Sequence, residues 1–429
     1  MKKLWILFGF LGLVSCNQET TQQPENITNI EDYQVYLDTD ETELISQLKA
    51  EVEELKTEAA GDTTRIVLNG SIAGKLNTLF DLTGNVDYLN ESVRFRESVV
   101  KNTYIRPENS KHALAQAYIK QHRFKKADSL MRSFTQEFSG PESQMVQFDI
   151  AMELGEYKKA ESLLDSMRNT GDYNYLIRAA KWNDYIGQLG TTVNLMENAM
   201  ELADQSGDQS RQLWSYSNIA DYYGHHGDLE KSYAHYLKTL EKDPHNTYAL
   251  KGIAWIAYSH DSDVEEARTI LENLSKRHPT PDYLLDLAEL YEFEGKEQEA
   301  MALKEDFMTR VSDPEYRGMY NAYKITELID AGQTQKAVDL ARIEVQNRAT
   351  PETYDLLGYA LLTNGEAQAA LENHEQYVIG KTFEPVAQFH TALIYKANGM
   401  DKAVAAFKEE LLETEYEMGP VTYKKIEAL

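Results

Sequence analysis

The chain holds a single cysteine in 429 residues, Cys16, so it cannot form an intrachain disulfide. Proline is scarce, at 10 residues, and there is no long low-complexity run, which fits a mostly helical body. Basic residues are outnumbered 43 to 70, for a net charge of −27. So few Lys and Arg cannot displace the counterions of a nucleic acid or hold the body to an anionic lipid surface, and no nucleic-acid partner is expected. The acidic surface keeps such a chain soluble, and a preference for basic partner segments is the sharper reading of the same charge. The apolar run Leu4–Val14 is eleven residues long, short of the roughly 20 that span a hydrocarbon core.

Catalytic fingerprints are missing as well. There is no P-loop, no G-x-G-x-x-G after a strand and no G-x-S-x-G elbow. His374-Glu375 lacks a second histidine four residues on. His225-His226 falls at a turn with His235 beyond it, where neighbouring rings diverge, so a shared metal is not expected and these read as solvated turn residues. Asp261 and Asp263 alternate like the start of a calcium loop, without its Gly and distal Glu, and Asp263 suits a helix N-cap instead. No reaction, cofactor or metal is expected.

What is present is a ladder of small residues. Ala127, Ala160, Thr192, Ser232, Ala267, Ala300, Ala337, Ala370 and Ala403 follow one another at 33, 32, 40, 35, 33, 37, 33 and 33 residues. A period near 34 marks stacked helix pairs, each needing one tight contact with its neighbour. The clearest copy has Tyr216, Ile219, Ala220 and Tyr223 on one helical face, a turn at Gly227-Asp228, then Ser232, Tyr236 and Pro244. Leu250, Ile253, Ala254 and Ala257 precede Ala267 in the same way, and Tyr354, Leu357, Gly358 and Leu361 precede Gly365 and Ala370. A degenerate pair precedes the first rung, at Leu76, Phe80, Gly84, Tyr88 and Phe95.

These copies resemble the tetratricopeptide repeat (TPR) family, with its W-x-x-L-G-x-x-Y, A-x-x-x-F and P pattern. No copy has the family's Trp, and only Gly358 supplies its Gly. The resemblance implies an all-α fold, a right-handed superhelical solenoid of tandem helix-turn-helix units. About ten helix pairs are expected over residues 70–417, with a capping helix at 41–69 and a C-terminal tail at 418–429. The 40-residue step contains the polar stretch 203–211, read as a lengthened loop and a candidate joint between two half-solenoids.

The N-terminus gives an address. Lys2-Lys3, the apolar run and Ser15-Cys16 form a signal peptide over residues 1–15. Leu13-Val14-Ser15-Cys16 looks like a bacterial lipobox, which implies a lipidated Cys16 as the mature N-terminus. Losing Lys2 and Lys3 would take the charge from −27 to −29. Residues 16–40 read as the lipidated Cys followed by a flexible tether. The expected location is the bacterial cell envelope, with membrane contact through the lipid only. Asn17 after the Cys points to the outer membrane, on either face.

A TPR solenoid binds on the concave face made by the first helix of each pair. That face would present Trp214, Asn218, Asp221 and His225, then Lys251, Trp255 and Tyr258, then Asp286, Glu289 and Phe293, and finally Asp355 and Tyr359. Aromatics among acids suit a peptide, although Trp255 and Tyr258 equally fit as packing between repeats. The expected role is a non-catalytic scaffold or adaptor for a protein or peptide partner. The alternative is an outer-membrane glycan-binding lipoprotein with a TPR-like body.

Overall fold

The computed structural model describes residues 26–133 and 140–429. Cys16, the signal peptide and the first part of the tether lie outside the described residues. Those described are helical, with no strand among them. A preceding helix α1 (Ile30–Leu37) and α2 (Thr42–Ala59) lead into the pair α3 (Ile66–Thr83) and α4 (Val86–Asn102). The pairs continue as α5 (Glu108–Lys120) with α6 (Phe124–Arg132), α7 (Pro141–Glu153) with α8 (Tyr157–Ser166), and α9 (Tyr173–Tyr185) with α10 (Leu189–Ser206). Next come α11 (Gln209–His225) with α12 (Leu229–Lys242), α13 (Thr247–Ser259) with α14 (Val264–Arg277), and α15 (Asp282–Phe293) with α16 (Glu297–Arg310). The last pairs are α17 (Asn321–Asp330) with α18 (Thr334–Asn347), α19 (Pro351–Thr363) with α20 (Ala367–Tyr377), and α21 (Pro385–Ala397) with α22 (Asp401–Leu411). A final helix, α23 (Glu415–Glu427), ends the chain. From α2 onward each helix packs on the next, giving a solenoid of tandem TPR-like helix pairs.

The ladder explains the packing. The rungs from Ala127 to Ala370 are at most 2 % exposed, because a larger side chain would hold the second helix of the pair away from the first. At the last rung Ala403 is half-buried and Val404 is buried in its place, one residue out of phase. Ser92 is an unread rung of the α3–α4 pair: it is buried and donates to the Ala73 carbonyl at 2.7 Å.

The coil is wound tightly enough for one superhelical turn to rest on another, so contacts recur at a separation of roughly 200 residues. Asn90 donates to the Glu315 carbonyl at 3.1 Å and to its carboxylate at 2.8 Å. Arg348 pairs with Glu153 at 3.4 Å and lies over the Phe124 ring. Three helix-ending glycines make the approach possible. A Cβ on Gly84 would stand 2.4 Å from Thr280, on Gly155 2.3 Å from the Ala349 carbonyl oxygen, and on Gly187 2.8 Å from the Phe383 ring.

Four expectations are corrected. The segment read as tether is folded from residue 26: Asn29 caps α1, and Tyr33 is fully buried and bonds Glu266. Burying an aromatic ring contributes about 2–3 kcal/mol, enough to outweigh the polar residues around it. Asp261 accepts from Thr28, at 2.7 Å from the hydroxyl, and so binds the segment to the loop that leads into α14. The first pair begins at Ile66, inside the range assigned to the cap, which is α2 alone. The stretch 203–211 is no lengthened loop: α10 runs to Ser206, Gly207 turns the chain and α11 starts at Gln209. The wide step comes from two long helices, joined further when Gln212 bonds Asp204 at 3.1 Å. The tail at 418–429 is most of α23.

Gly155→Ala is expected to lose stability twice over, through its φ of +73° and through the Ala349 carbonyl. Gly332→Ala, with φ +68° and nothing within 4 Å, isolates the conformational part, about 1–2 kcal/mol. Thermal unfolding should put Gly155→Ala clearly below Gly332→Ala; equal melting temperatures would show that the turns do not press on each other there.

Candidate functional site

The inner wall is built from the first helices of the pairs, and its centre is α13. This helix is apolar nearly all round, with Ala249, Leu250, Ile253, Ala254, Ile256, Ala257 and Tyr258 buried. One side packs between α12 and α14; the other meets α23, which also touches α11, α15, α21 and α22. The groove expected to be open is therefore occupied by the chain's own C-terminal helix.

The seat is made residue by residue. Trp255 donates from Nε1 to the Tyr416 carbonyl at 3.0 Å. Beside it, Gly419 holds φ 68° and ψ 158° and breaks the helix ahead of Pro420. A Cβ at Gly419 would stand 2.8 Å from both Glu289 and Trp255, so only glycine lets the backbone come this close. His225 pairs with Glu417 at 2.9 Å, and Lys424 sits 4.5 Å over the Phe293 ring. Tyr258 meets Trp255 and Phe293 edge-on and donates to Glu289 at 3.3 Å. Met418 and Ile426 bury against Phe389, Ala392 and Leu411, tying α23 to the last pair.

Under Tyr416 and Glu417 a cavity of about 230 Å³ remains, walled by Asp221, Tyr236, Tyr248, Lys251, Trp255 and Asp286 among others. Its acids are met mainly by hydroxyls. Asp221 accepts from Tyr236 at 2.5 Å and also from Tyr248. Lys251 is committed to Asp286 at 2.8 Å. Burial raises the Asp221 carboxyl above its ordinary value against the pull of the two tyrosines. Burial also pushes Glu289 up to about 7, with Asp286 and Glu292 adding to it and Tyr258 opposing. The hydrogen bond to Glu417 raises His225, although burial works the other way.

The sequence-read wall residues divide into three sets. Asp221, Lys251, Trp255, Tyr258, Asp286, Glu289 and Phe293 gather around α23 and its cavity. Asn218 lines an adjoining hollow with Asp184, Phe383 and Glu384. Trp214 stands apart, partly exposed and edge-on to Tyr173. Asp355 does not face the groove: it is buried between repeats and accepts from His390 at 2.8 Å, while Tyr359 stacks on that histidine at 3.9 Å. His374, fully buried over Gly358, fills the same junction. Among the described residues no group of three or more His, Cys, Asp or Glu could hold a metal ion. No described helix is long and apolar enough to cross a membrane.

Sequence reasoning placed His225 on the wall and Tyr236 among the packing positions, and it missed Tyr248, Tyr416, Glu417 and Gly419. The readable signal was the apolar spacing of Met418 and Ile426 around a Gly-Pro break, in a segment too long for a tail.

No protein-family model matches the chain, and no curated protein does. Among solved structures it is similar to the human IFIT1 dimer with PPP-AAAA, at 16 % identity over 86 % of this chain and 87 % of that one, with a TM-score of 0.45. Yeast Tom70 shares 12 % identity over 91 % and 95 %, with a TM-score of 0.38. The Cut9 and Hcn1 hetero-tetramer of APC/C gives 11 % over 93 % and 99 %, at 0.34. None of these likenesses bears on activity.

Glu289 gives a pH test. Its carboxyl rises from 4.5 to about 7 on folding, so the folded state holds the extra proton and loses stability as pH climbs through that window. Glu289→Gln is expected to match the parent near pH 5 and to melt higher at pH 8. A melting difference independent of pH would refute the shift.

Proposed function

We propose that this protein is a non-catalytic binding scaffold, held to a bacterial envelope by lipid on Cys16, whose inner wall takes helical segments of partner proteins. One observation carries the reading: the wall already holds a helix. α23 lies across α11, α13 and α15 with its backbone bonded by Trp255, an acid paired to His225 and a glycine against Trp255. A surface that grips a helix through its backbone and a few side chains is a helix-in-groove receptor in form. The seat's acids favour a basic segment over a polyanion.

The short apolar leader ending at Ser15-Cys16 supports the anchor. Several acyl chains on one residue hold where a single chain is marginal. The remainder of residues 16–25 would then be a spacer between bilayer and coil, shorter than the whole of 16–40.

Two measurements test this reading. Cys16→Ser is expected to move the protein from the membrane fraction to the soluble fraction and to remove the lipid mass from its N-terminal peptide; unchanged fractionation would sink the anchor. A photo-crosslinking residue in place of Asn218, beside the occupied wall, should give discrete adducts in intact cells that map to helical segments of partners. Glycan-array binding with no protein adduct would favour the carbohydrate reading instead.

A further inference from the structure

The inner seat holds α23 with visible mismatches. Of α23 itself only Met418, Gly419 and Ile426 are buried, and two of these face the last pair, not the central wall. Beneath it lies a cavity of about 230 Å³ that opens between α11, α13 and α15. Its walls carry Asp221 and Glu289, satisfied by tyrosine hydroxyls, while the one lysine present is spent on Asp286. Into this acidic setting α23 brings a further acid, Glu417, tolerated because His225 stands at the mouth. The aromatic walls Tyr236, Tyr248, Trp255 and Tyr258 are what a desolvated cation prefers.

We propose that α23 is a built-in competitor for this seat, displaced by a partner helix that presents a basic residue to the cavity between Asp221 and Glu289. This rests on the reading of the inner wall as a helix receptor and adds the occupant's chemistry. The incoming helix keeps a glycine where Gly419 lies, since the Trp255 and Glu289 side chains leave no room for a Cβ. It differs from α23 where Glu417 stands, carrying Lys or Arg. α23 leaves by turning about the segment Leu412–Thr414, in which Leu412 and Glu413 are exposed.

The groups around the exchange point set its pH response. Glu289 faces Tyr258 from α13, Asp286 and Glu292 from α15, and Lys425 from α23. His225 faces Glu417 from α23, Asp221 from its own helix and Asp184 from α9. A proton on His225 strengthens its pair with Glu417 and favours the seated α23, so release is easier as pH rises.

The probes are a fluorescein-labelled synthetic peptide of residues 413–429 and the same peptide with Glu417→Lys, followed by anisotropy on the full chain. Two release variants are used: Gly419→Val, which drives a side chain into Trp255 and Glu289, and Ile426→Ala, which loosens α23 from the last pair and leaves the wall unchanged. The parent is expected to bind either peptide at least tenfold more weakly than a release variant does. In a release variant the Glu417→Lys peptide should bind at least tenfold tighter than the native one, and Asp221→Asn with Glu289→Gln should abolish that preference. Equal binding by parent and release variants overturns the competitor and leaves the helix-receptor reading standing. No binding by a release variant of unchanged helicity and melting temperature overturns that reading too. If Gly419→Val does not fold, Ile426→Ala decides alone. Native and substituted peptides bound equally would overturn the assigned charge of the partner.

Discussion

Backbone-to-backbone approach between successive superhelical turns is the constraint on which the rest of this structure depends. At Gly155 the chain end of one helix lies where a Cβ would stand 2.3 Å from the carbonyl of Ala349, nearly a full turn of superhelix later. Gly84 and Gly187 make similar approaches to Thr280 and Phe383. Stacking at these points closes what would otherwise be an open spiral. It turns the concave face into an inner wall that approaches itself from several sides. That is why one short helix can touch α11, α13 and α15 along with α21 and α22. It also gives the N-terminal segment a place to bind: α1 lies against α12 and α14, about 200 to 240 residues away in sequence.

The repeat architecture was legible because it is a local rule applied many times. Small residues at a period near 34 can be read without any knowledge of what they touch. The rungs from Ala127 to Ala370 are all buried, and even the phase slip at Ala403 shows in the structure as Val404 taking the rung. Superhelical closure is a different kind of property. It arises from small rotations accumulated over several repeats, and the residues that record it are ordinary helix-ending glycines. Nothing local separates Gly155, pressed by Ala349, from Gly332, which has open space around it.

The same distinction explains the site. Positions such as Trp255, Tyr258 and Glu289 could be placed on the inner face by helical spacing alone. Their partners could not, because Tyr416, Glu417 and Gly419 lie roughly 130 to 190 residues downstream in a segment without a rung. Asp355 shows the limit from the other side. Spacing put it on the wall, but His390 and His374 supply a buried polar junction that draws it between repeats. A buried carboxylate goes where hydrogen bonds satisfy it, and that preference overrides its place on a helical wheel.

If the inner wall receives partner helices as proposed, its intrachain occupant must satisfy two opposing requirements. It has to cover Trp255, Tyr258 and Phe293, whose exposure together would leave an apolar patch on the wall. It must also bind weakly enough to be exchanged, since effective concentration for a tethered segment is in the millimolar range and multiplies whatever intrinsic affinity it has. A tethered helix that filled its cavity and matched its charges would shut out partners at any realistic concentration. The mismatches at this seat therefore belong to its design. The few buried positions of α23 and an acid facing acids lower its intrinsic affinity, and the tether restores occupancy. A partner in free solution has no tether and must win on contacts, and the cavity between Asp221 and Glu289 is where those contacts remain to be made.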